Sequence, residues 1–131
     1  MPLLDDKPSA DGLNLAVTAE SLYLVNLLLV PGIAFAVLLW LWQKNKASAP
    51  PLARQHLRQT TFVSLYGGIL IVALSAIFIT VGGLDWEWTW VLVIMYFTCI
   101  HSTLVMFGMC GLAKAMAGQA WRYPLIGPSV E

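Results

Sequence analysis

The sequence predicts an all-helical integral membrane protein with three transmembrane helices. Three uncharged apolar runs, residues 22–42, 61–82 and 90–112, are each long enough to cross the ~30 Å hydrocarbon core as a helix. Of the 131 residues, 59% are hydrophobic and only 11% are charged, whereas roughly a quarter of a soluble domain is charged. A basic linker between the first two runs, residues 43–59, then sets their orientation, because basic loops favour the cytoplasmic side.

The N-terminal part predicts a loose tail, residues 1–17, followed by the first span, residues 18–43. The tail does not resemble a secretory signal, because Asp5 and Asp6 precede the only nearby base, Lys7. Thr18 is a plausible N-cap of the first helix. The first span is therefore expected to stay in the mature protein.

The first span is interrupted by Pro31 and Gly32, which predict a kink because proline removes a backbone donor. One interpretation is a bend that a membrane helix tolerates. The other is a hinge or a broken helix that lines a site. Asn26 lies one turn earlier and is expected to prefer a partner helix to lipid.

Residues 44–60 form the basic linker and the start of the second helix, and residues 61–82 form the second span. Arg54 and Arg58 are four residues apart and share one helix face, and His56 and Gln59 share another. His56 and Gln59 are candidate partner contacts. The candidate contacts to anionic headgroups or an acidic partner are Arg54, Arg58, Lys114 and Arg122. The alternative is that they determine topology only.

The second and third spans predict an antiparallel hairpin, since the outer loop of residues 83–89 is short. Ser64, Gly68 and Ala76 belong to a small-residue stripe that would allow close helix packing in lipid. The three tryptophans near the loop favour an interfacial belt, with a ligand cage or quinone contact as the less favoured hypothesis.

His101 lies near the middle of the third span, residues 90–113, where an ionisable group is costly. It is therefore a candidate functional residue, and the alternative is a neutral imidazole bonded to a neighbouring helix. The cysteines and methionines of this span favour packing over soft-metal binding. We expect no cofactor and no metal.

Topology follows from the charges. The linker and the cytoplasmic tail, residues 114–131, carry bases, and the second connection carries only the acids Asp85 and Glu87. Three spans then predict a cytoplasmic C-terminus and an outer N-terminus in the bacterial inner membrane. Seven bases balance seven acids, which excludes a strongly basic nucleic-acid binder.

Short motifs in this order resemble small bacterial Tic-twenty-like membrane proteins, a family with an uncharacterised domain. The resemblance covers roughly residues 22–127 and rests on these segments: Pro31-Gly32, residues 38–40 (Leu-Leu-Trp), residues 56–59 (His-Leu-Arg-Gln), Lys114, Gly118 and residues 121–125 (Trp-Arg-Tyr-Pro-Leu). It implies an all-helical inner-membrane protein with no known catalytic residues. The plant relatives belong to a chloroplast protein-import channel.

Two functions are predicted from these observations. The first is a non-catalytic small subunit or assembly factor of a larger inner-membrane complex, with membrane lipids and other integral subunits as partners. The second is a component of a translocation or transport machinery, in which His101, Asn26 and the Pro31 kink line a path. A redox or metal enzyme would need clustered ligands, and the sequence shows one intramembrane and one surface histidine. We therefore expect no enzymatic activity.

Overall fold

The computed structural model of the protein describes residues 9–128, which form four helices. These are α1 (Ala10–Leu28), α2 (Ile33–Asn45), α3 (Pro51–Gly82) and α4 (Glu87–Met116). The predicted all-helical fold is confirmed for the described residues, none of which lies in a strand. The three predicted transmembrane helices are not confirmed, since only α3 and α4 of the described chain are long and apolar enough to cross a membrane.

Helix α1 begins earlier than the sequence predicts. Ser9 is its N-cap, and the Ser9 hydroxyl oxygen accepts a hydrogen bond from the Gly12 amide at 3.1 Å. Thr18, the predicted cap, lies within the helix and donates to the Asn14 carbonyl oxygen at 2.8 Å. The predicted loose tail is therefore helical from Ala10 onward, and its first eight residues lie outside the described part.

The predicted first span, residues 18–43, is not one kinked helix but two helices that fold back on each other. Near the open end of this hairpin, a side chain at Gly12 would meet the Pro50 ring at 3.1 Å. Further along, Ala19 of α1 packs with Leu38 of α2 and Leu57 of α3. Helices α1 and α2 are therefore antiparallel, and we call them the α1–α2 hairpin.

The reversal follows from Pro31 and Gly32. Proline lacks the amide hydrogen that would continue the helix. Gly32 has a φ of 87°, a left-handed value that a residue with a side chain rarely adopts. The Gly32 amide donates to the Asn26 side-chain oxygen at 2.9 Å, which ties the turn to the last part of α1. A kink was the wrong prediction because the chain turns back here instead of bending.

Helices α3 and α4 form an antiparallel pair joined by a turn at residues 83–86. The most apolar 18-residue window of each helix is only 11% buried inside the molecule. Exposed apolar surface of this extent indicates a membrane or an interface rather than the core of a soluble protein.

Nearly all fully buried residues of the described chain lie at one end of the bundle, where all four helices meet. The core there contains Tyr23, Val63, Leu104 and Tyr123. At the other end, α3 and α4 continue alone, and Thr89 is the buried residue. We call the first end the four-helix end and the second the two-helix end. The start of α1, the linker and the C-terminal segment all lie at the four-helix end, whereas the sequence predicted opposite sides for the two termini.

Candidate functional site

Three buried polar side chains from distant parts of the chain meet at the four-helix end. Glu20 of α1, His56 of α3 and Tyr123 of the C-terminal segment have essentially no exposed surface. One carboxyl oxygen of Glu20, Oε1, lies 2.5 Å from His56 Nδ1. The other, Oε2, accepts a hydrogen bond from the Tyr123 hydroxyl. We call Glu20, His56 and Tyr123 the polar triad.

The proton on His56 Nε2 is fixed by its partner. Nε2 lies 2.8 Å from the Gln119 carbonyl oxygen, which can only accept, so Nε2 must donate. A single proton then lies between Nδ1 and the Glu20 carboxyl group. It forms either an imidazolium–carboxylate pair or a neutral pair, and both arrangements satisfy every polar atom of the two side chains.

Tyr123 supplies the remaining hydrogen bond of the triad. Burial, followed by the nearby Glu20 carboxyl group, raises the pKa of Tyr123 well above its usual range. The phenol therefore stays protonated at neutral pH and donates to Glu20. Its ring packs on Tyr23, with ring centroids 5.1 Å apart, so the hydroxyl is held in place by apolar contacts.

Glycines of α4 make room for this triad. A side chain at Gly111 would lie 2.5 Å from Glu20 Oε2, and one at Gly108 would lie 2.5 Å from a Tyr23 ring carbon. Both approaches are far closer than an ordinary contact. Helices α1 and α4 can approach this closely because neither position has a side chain, as in small-residue contacts between membrane helices.

The polar face of α3 holds the C-terminal segment through its backbone atoms. Gln55 accepts from the Trp121 amide at 3.1 Å and donates to the carbonyl oxygen of the same residue. Gln59 accepts from the Tyr123 amide at 3.1 Å and donates to the Pro128 carbonyl oxygen at 2.6 Å. His56 and Gln59 share a face as predicted by their spacing, and this face docks the segment.

A second group of polar contacts lies at the closed end of the α1–α2 hairpin. His101 Nε2 lies 2.9 Å from the Leu27 carbonyl oxygen. In a continuous helix that carbonyl would accept from residue 31, but Pro31 has no amide hydrogen. His101 thus replaces the missing donor, and its ring stacks on Phe97 with centroids 5.2 Å apart.

His101, Asn26 and Pro31, the residues of the hypothetical transport path, do come together beside an apolar cavity of about 200 Å³. Two of them bond backbone: His101 Nε2 bonds Leu27, and Asn26 Oδ1 bonds Gly32. These contacts stabilise the hairpin. They correspond to the alternative interpretation of His101, an imidazole bonded to a neighbouring helix, and the partner is the Leu27 carbonyl oxygen.

The predicted cationic contacts lie around the same end of the bundle. Arg54 donates to the Ala49 carbonyl oxygen at 3.3 Å, and Arg122 donates to the Gly127 carbonyl oxygen at 3.4 Å. Arg58 is half-buried on α3. Arg54 and Arg122 therefore bond backbone next to the polar triad rather than joining it.

The predicted packing stripe faces away from the close helix contacts. A side chain at Gly68 would meet no atom within 4 Å, and Ala76 is exposed. Ser64 borders the cavities next to the hairpin. The close contact involves Gly67, where a side chain would lie 2.9 Å from Leu104. Small residues spaced four apart define one face of a helix, but this spacing cannot show whether that face or the adjacent one is covered by another helix.

Sequence reasoning missed Glu20, Tyr123 and Gln55. A single acid beside a long uncharged run was the available indication, because a buried acid requires partners. Nothing in the spacing of such distant residues pairs them. Within residues 9–128, no group of three or more His, Cys, Asp or Glu side chains is placed to hold a metal ion.

Comparison with known proteins assigns the family. The model of the MamF/MmsF family, described as the magnetosome magnetite crystal formation protein family, matches residues 13–130. Neither the curated proteins nor the solved structures gave a match.

The predicted Tic-twenty-like assignment is therefore wrong. It rested on short motifs such as residues 56–59 and 121–125, which the structure shows in contact as a helix and its docked segment. Such contacts reflect packing requirements that do not identify a family. With nearly the whole sequence matched and two exposed apolar helices, the chain belongs to the magnetosome magnetite crystal formation protein family, a family of small membrane proteins.

Proposed function

We propose that this protein is a non-catalytic integral membrane protein that acts in magnetite crystal formation as an accessory subunit of a larger membrane assembly. The family match over residues 13–130 is the observation that carries the proposal. The accessory role extends it, because the family description names crystal formation and no particular partner.

The arrangement of polar groups supports a structural role. Glu20, His56 and Tyr123 bond one another and the backbone, and Gln55 and Gln59 bond the C-terminal segment. Side chains engaged in this way stabilise a fold and are not free to bind a substrate. The exposed apolar faces of α3 and α4 are suited to lipid and to neighbouring membrane helices.

The orientation follows from charge. The four-helix end carries most of the basic residues, namely Lys44, Lys46, Arg54, Arg58, Lys114 and Arg122. The turn at the two-helix end carries Asp85, and α4 begins with Glu87. By the positive-inside rule we place the four-helix end in the cytoplasm. We place the protein in the bacterial inner membrane or in the membrane that surrounds the crystal, and membrane fractionation distinguishes the two.

The role in crystal formation is tested by deletion and complementation in a magnetite-forming bacterium that carries a member of this family. We expect the deletion to change the size distribution of the crystals in electron micrographs and this protein to restore it. A variant with Gly111→Leu, which cannot bury Glu20 normally, should restore it poorly. If the complemented strain forms the same crystals as the deletion strain although an immunoblot shows the protein in the membrane, the proposal is refuted.

The accessory role is tested by its physical association. Gentle solubilisation followed by a native gel should show the protein in a species larger than the monomer. The control is the same sample after a harsher detergent, which should release the monomer. A monomer under both conditions would contradict the role as a subunit and leave the role in crystal formation intact.

A further inference from the structure

The α1–α2 hairpin extends only part of the way along the two spanning helices. Pro31 and Gly32, at its closed end, border a cavity that reaches Ala73 of α3. Helix α3 continues nine residues further, to Gly82, which is about 14 Å at the rise of an α-helix. The uncharged part of α3 begins at Thr61, about 18 Å before Ala73. The hairpin therefore ends near the middle of the hydrophobic layer.

The protein consequently has two widths within the membrane. Four helices lie side by side on one half, and two helices lie on the other. Since each helix with its side chains is about 10 Å across, the cross-section of the four-helix half is about twice as large. The two halves also differ in how much of their surface is buried, because the buried apolar core residues lie at the four-helix end.

The hairpin also presents apolar surface toward the lipid of its own half. Ile33, Val37 and Trp40 of α2 are 67%, 41% and 57% exposed. Lys44 follows within about a turn, and its ammonium group lies 4.8 Å from the centre of the Trp40 ring. A tryptophan and a lysine together are typical of the interface between hydrocarbon and headgroups. The hairpin is therefore suited to lie within one leaflet.

We propose that this protein binds preferentially to strongly curved bilayers, with its four-helix end in the convex leaflet. Bending a bilayer expands the convex leaflet and compresses the concave one. A protein that is wider in the convex leaflet fills the added area there, and it occupies little of the compressed leaflet. Insertion of apolar helical surface into one leaflet is sensitive to curvature for the same reason. The proposal uses the membrane location inferred above and is independent of crystal formation.

The test is reconstitution of the full-length, fluorescently labelled protein into vesicles of one lipid composition and a wide range of diameters. Protein density per membrane area is measured on single vesicles. We expect a density roughly twofold or more higher in the smallest vesicles than in the largest, equivalent to about 0.4 kcal/mol. In the small vesicles, added protease should reach the C-terminal segment. Equal densities, or a preference for the opposite orientation, would overturn the proposal.

Matched variants separate shape from general lipid affinity. Ile77→Trp with Val81→Trp widens the two-helix half at positions that are 52% and 84% exposed, and we expect it to bring the density ratio toward one. Val37→Trp with Leu39→Trp widens the hairpin at exposed positions and should keep or increase the ratio. An equal loss in both variants would also overturn the proposal. Failure of the wild type to float with any vesicle would instead contradict the membrane location itself.

Discussion

At the residue scale, the most informative side chain is Glu20, a carboxyl group with no exposed surface beside an apolar run. Moving such a group out of water is costly unless both its oxygens are bonded. His56 and Tyr123 provide these bonds, and Gly111 provides the space. The triad therefore links the start of the chain to its end through α3.

Substituting Gly111 tests this close approach. Gly111→Ala places a methyl group against the Glu20 carboxyl, so we expect a loss of about 1–3 kcal/mol in the free energy of unfolding. Gly68→Ala is the matched control, since its new methyl group meets no atom within 4 Å and should change stability by less than about 0.5 kcal/mol. Unfolding in detergent is followed by tryptophan fluorescence. Equal losses in the two variants would contradict the assigned contact.

A double-mutant cycle tests the Glu20–His56 pair. His56→Leu leaves Glu20 buried with Tyr123 alone and the Gln119 carbonyl without its donor, so we expect a loss of about 3–5 kcal/mol. Glu20→Met combined with His56→Leu should cost less than the sum of the single changes, with a coupling of about 0.5–3 kcal/mol. The measurement is denaturant unfolding in one detergent. Additive effects would show that the two side chains do not interact as described.

At the element scale, the decisive feature is the closed end of the α1–α2 hairpin. Pro31 leaves the Leu27 carbonyl without its helical donor, and His101 of α4 replaces it. Asn26 accepts from the amide of Gly32, where the backbone is left-handed. Each contact satisfies a backbone group in an apolar region, where an unpaired group is costly. Pro31 therefore ends α1 and the chain reverses, because α4 supplies the donor that the Leu27 carbonyl oxygen would otherwise lack.

Replacing His101 tests that contact. His101→Leu removes the donor to Leu27, and we expect a loss of about 1–2 kcal/mol, within the range for an unpaired buried acceptor. His101→Gln retains an amide donor on a flexible side chain and should lose less. Thermal unfolding in lipid nanodiscs measures both. A transport role for the imidazole would instead predict two variants of full stability.

At the scale of the whole molecule, the hairpin decides the topology. The antiparallel pair of α3 and α4 leaves the linker and the C-terminal segment at one end of the bundle. The N-terminal end of α1 joins them, because Gly12 lies against Pro50. The described chain thus has three segments at the four-helix end and a short turn at the two-helix end.

Single cysteines test this arrangement in a variant from which Cys99 and Cys110, both exposed, have been removed. We expect cysteines at Asp11 and Ser48 to be protected from an impermeant reagent in intact cells, and one at Asp85 to be modified. Permeabilised cells provide the control, in which all three should react. Modification at Asp11 together with Asp85 would restore the three-span topology and contradict the hairpin.

The sequence by itself determined the helical class, the long apolar runs of α3 and α4, and the basic end. These properties follow from composition and local periodicity, since a long uncharged run can satisfy its backbone in lipid only as a helix. It also indicated a break at Pro31 and Gly32, because their backbone preferences are local.

Only the tertiary structure decided what the break does and which polar residues meet. A kink and a reversal share the same local sequence, and the choice depends on α4, whose His101 bonds the freed carbonyl and whose Gly108 and Gly111 admit α1. Likewise Glu20 lies 36 residues from His56 and 103 residues from Tyr123 along the chain, so no spacing pairs them. Long-range packing fixes such contacts, because burial of one polar group is stable only when distant partners arrive with it.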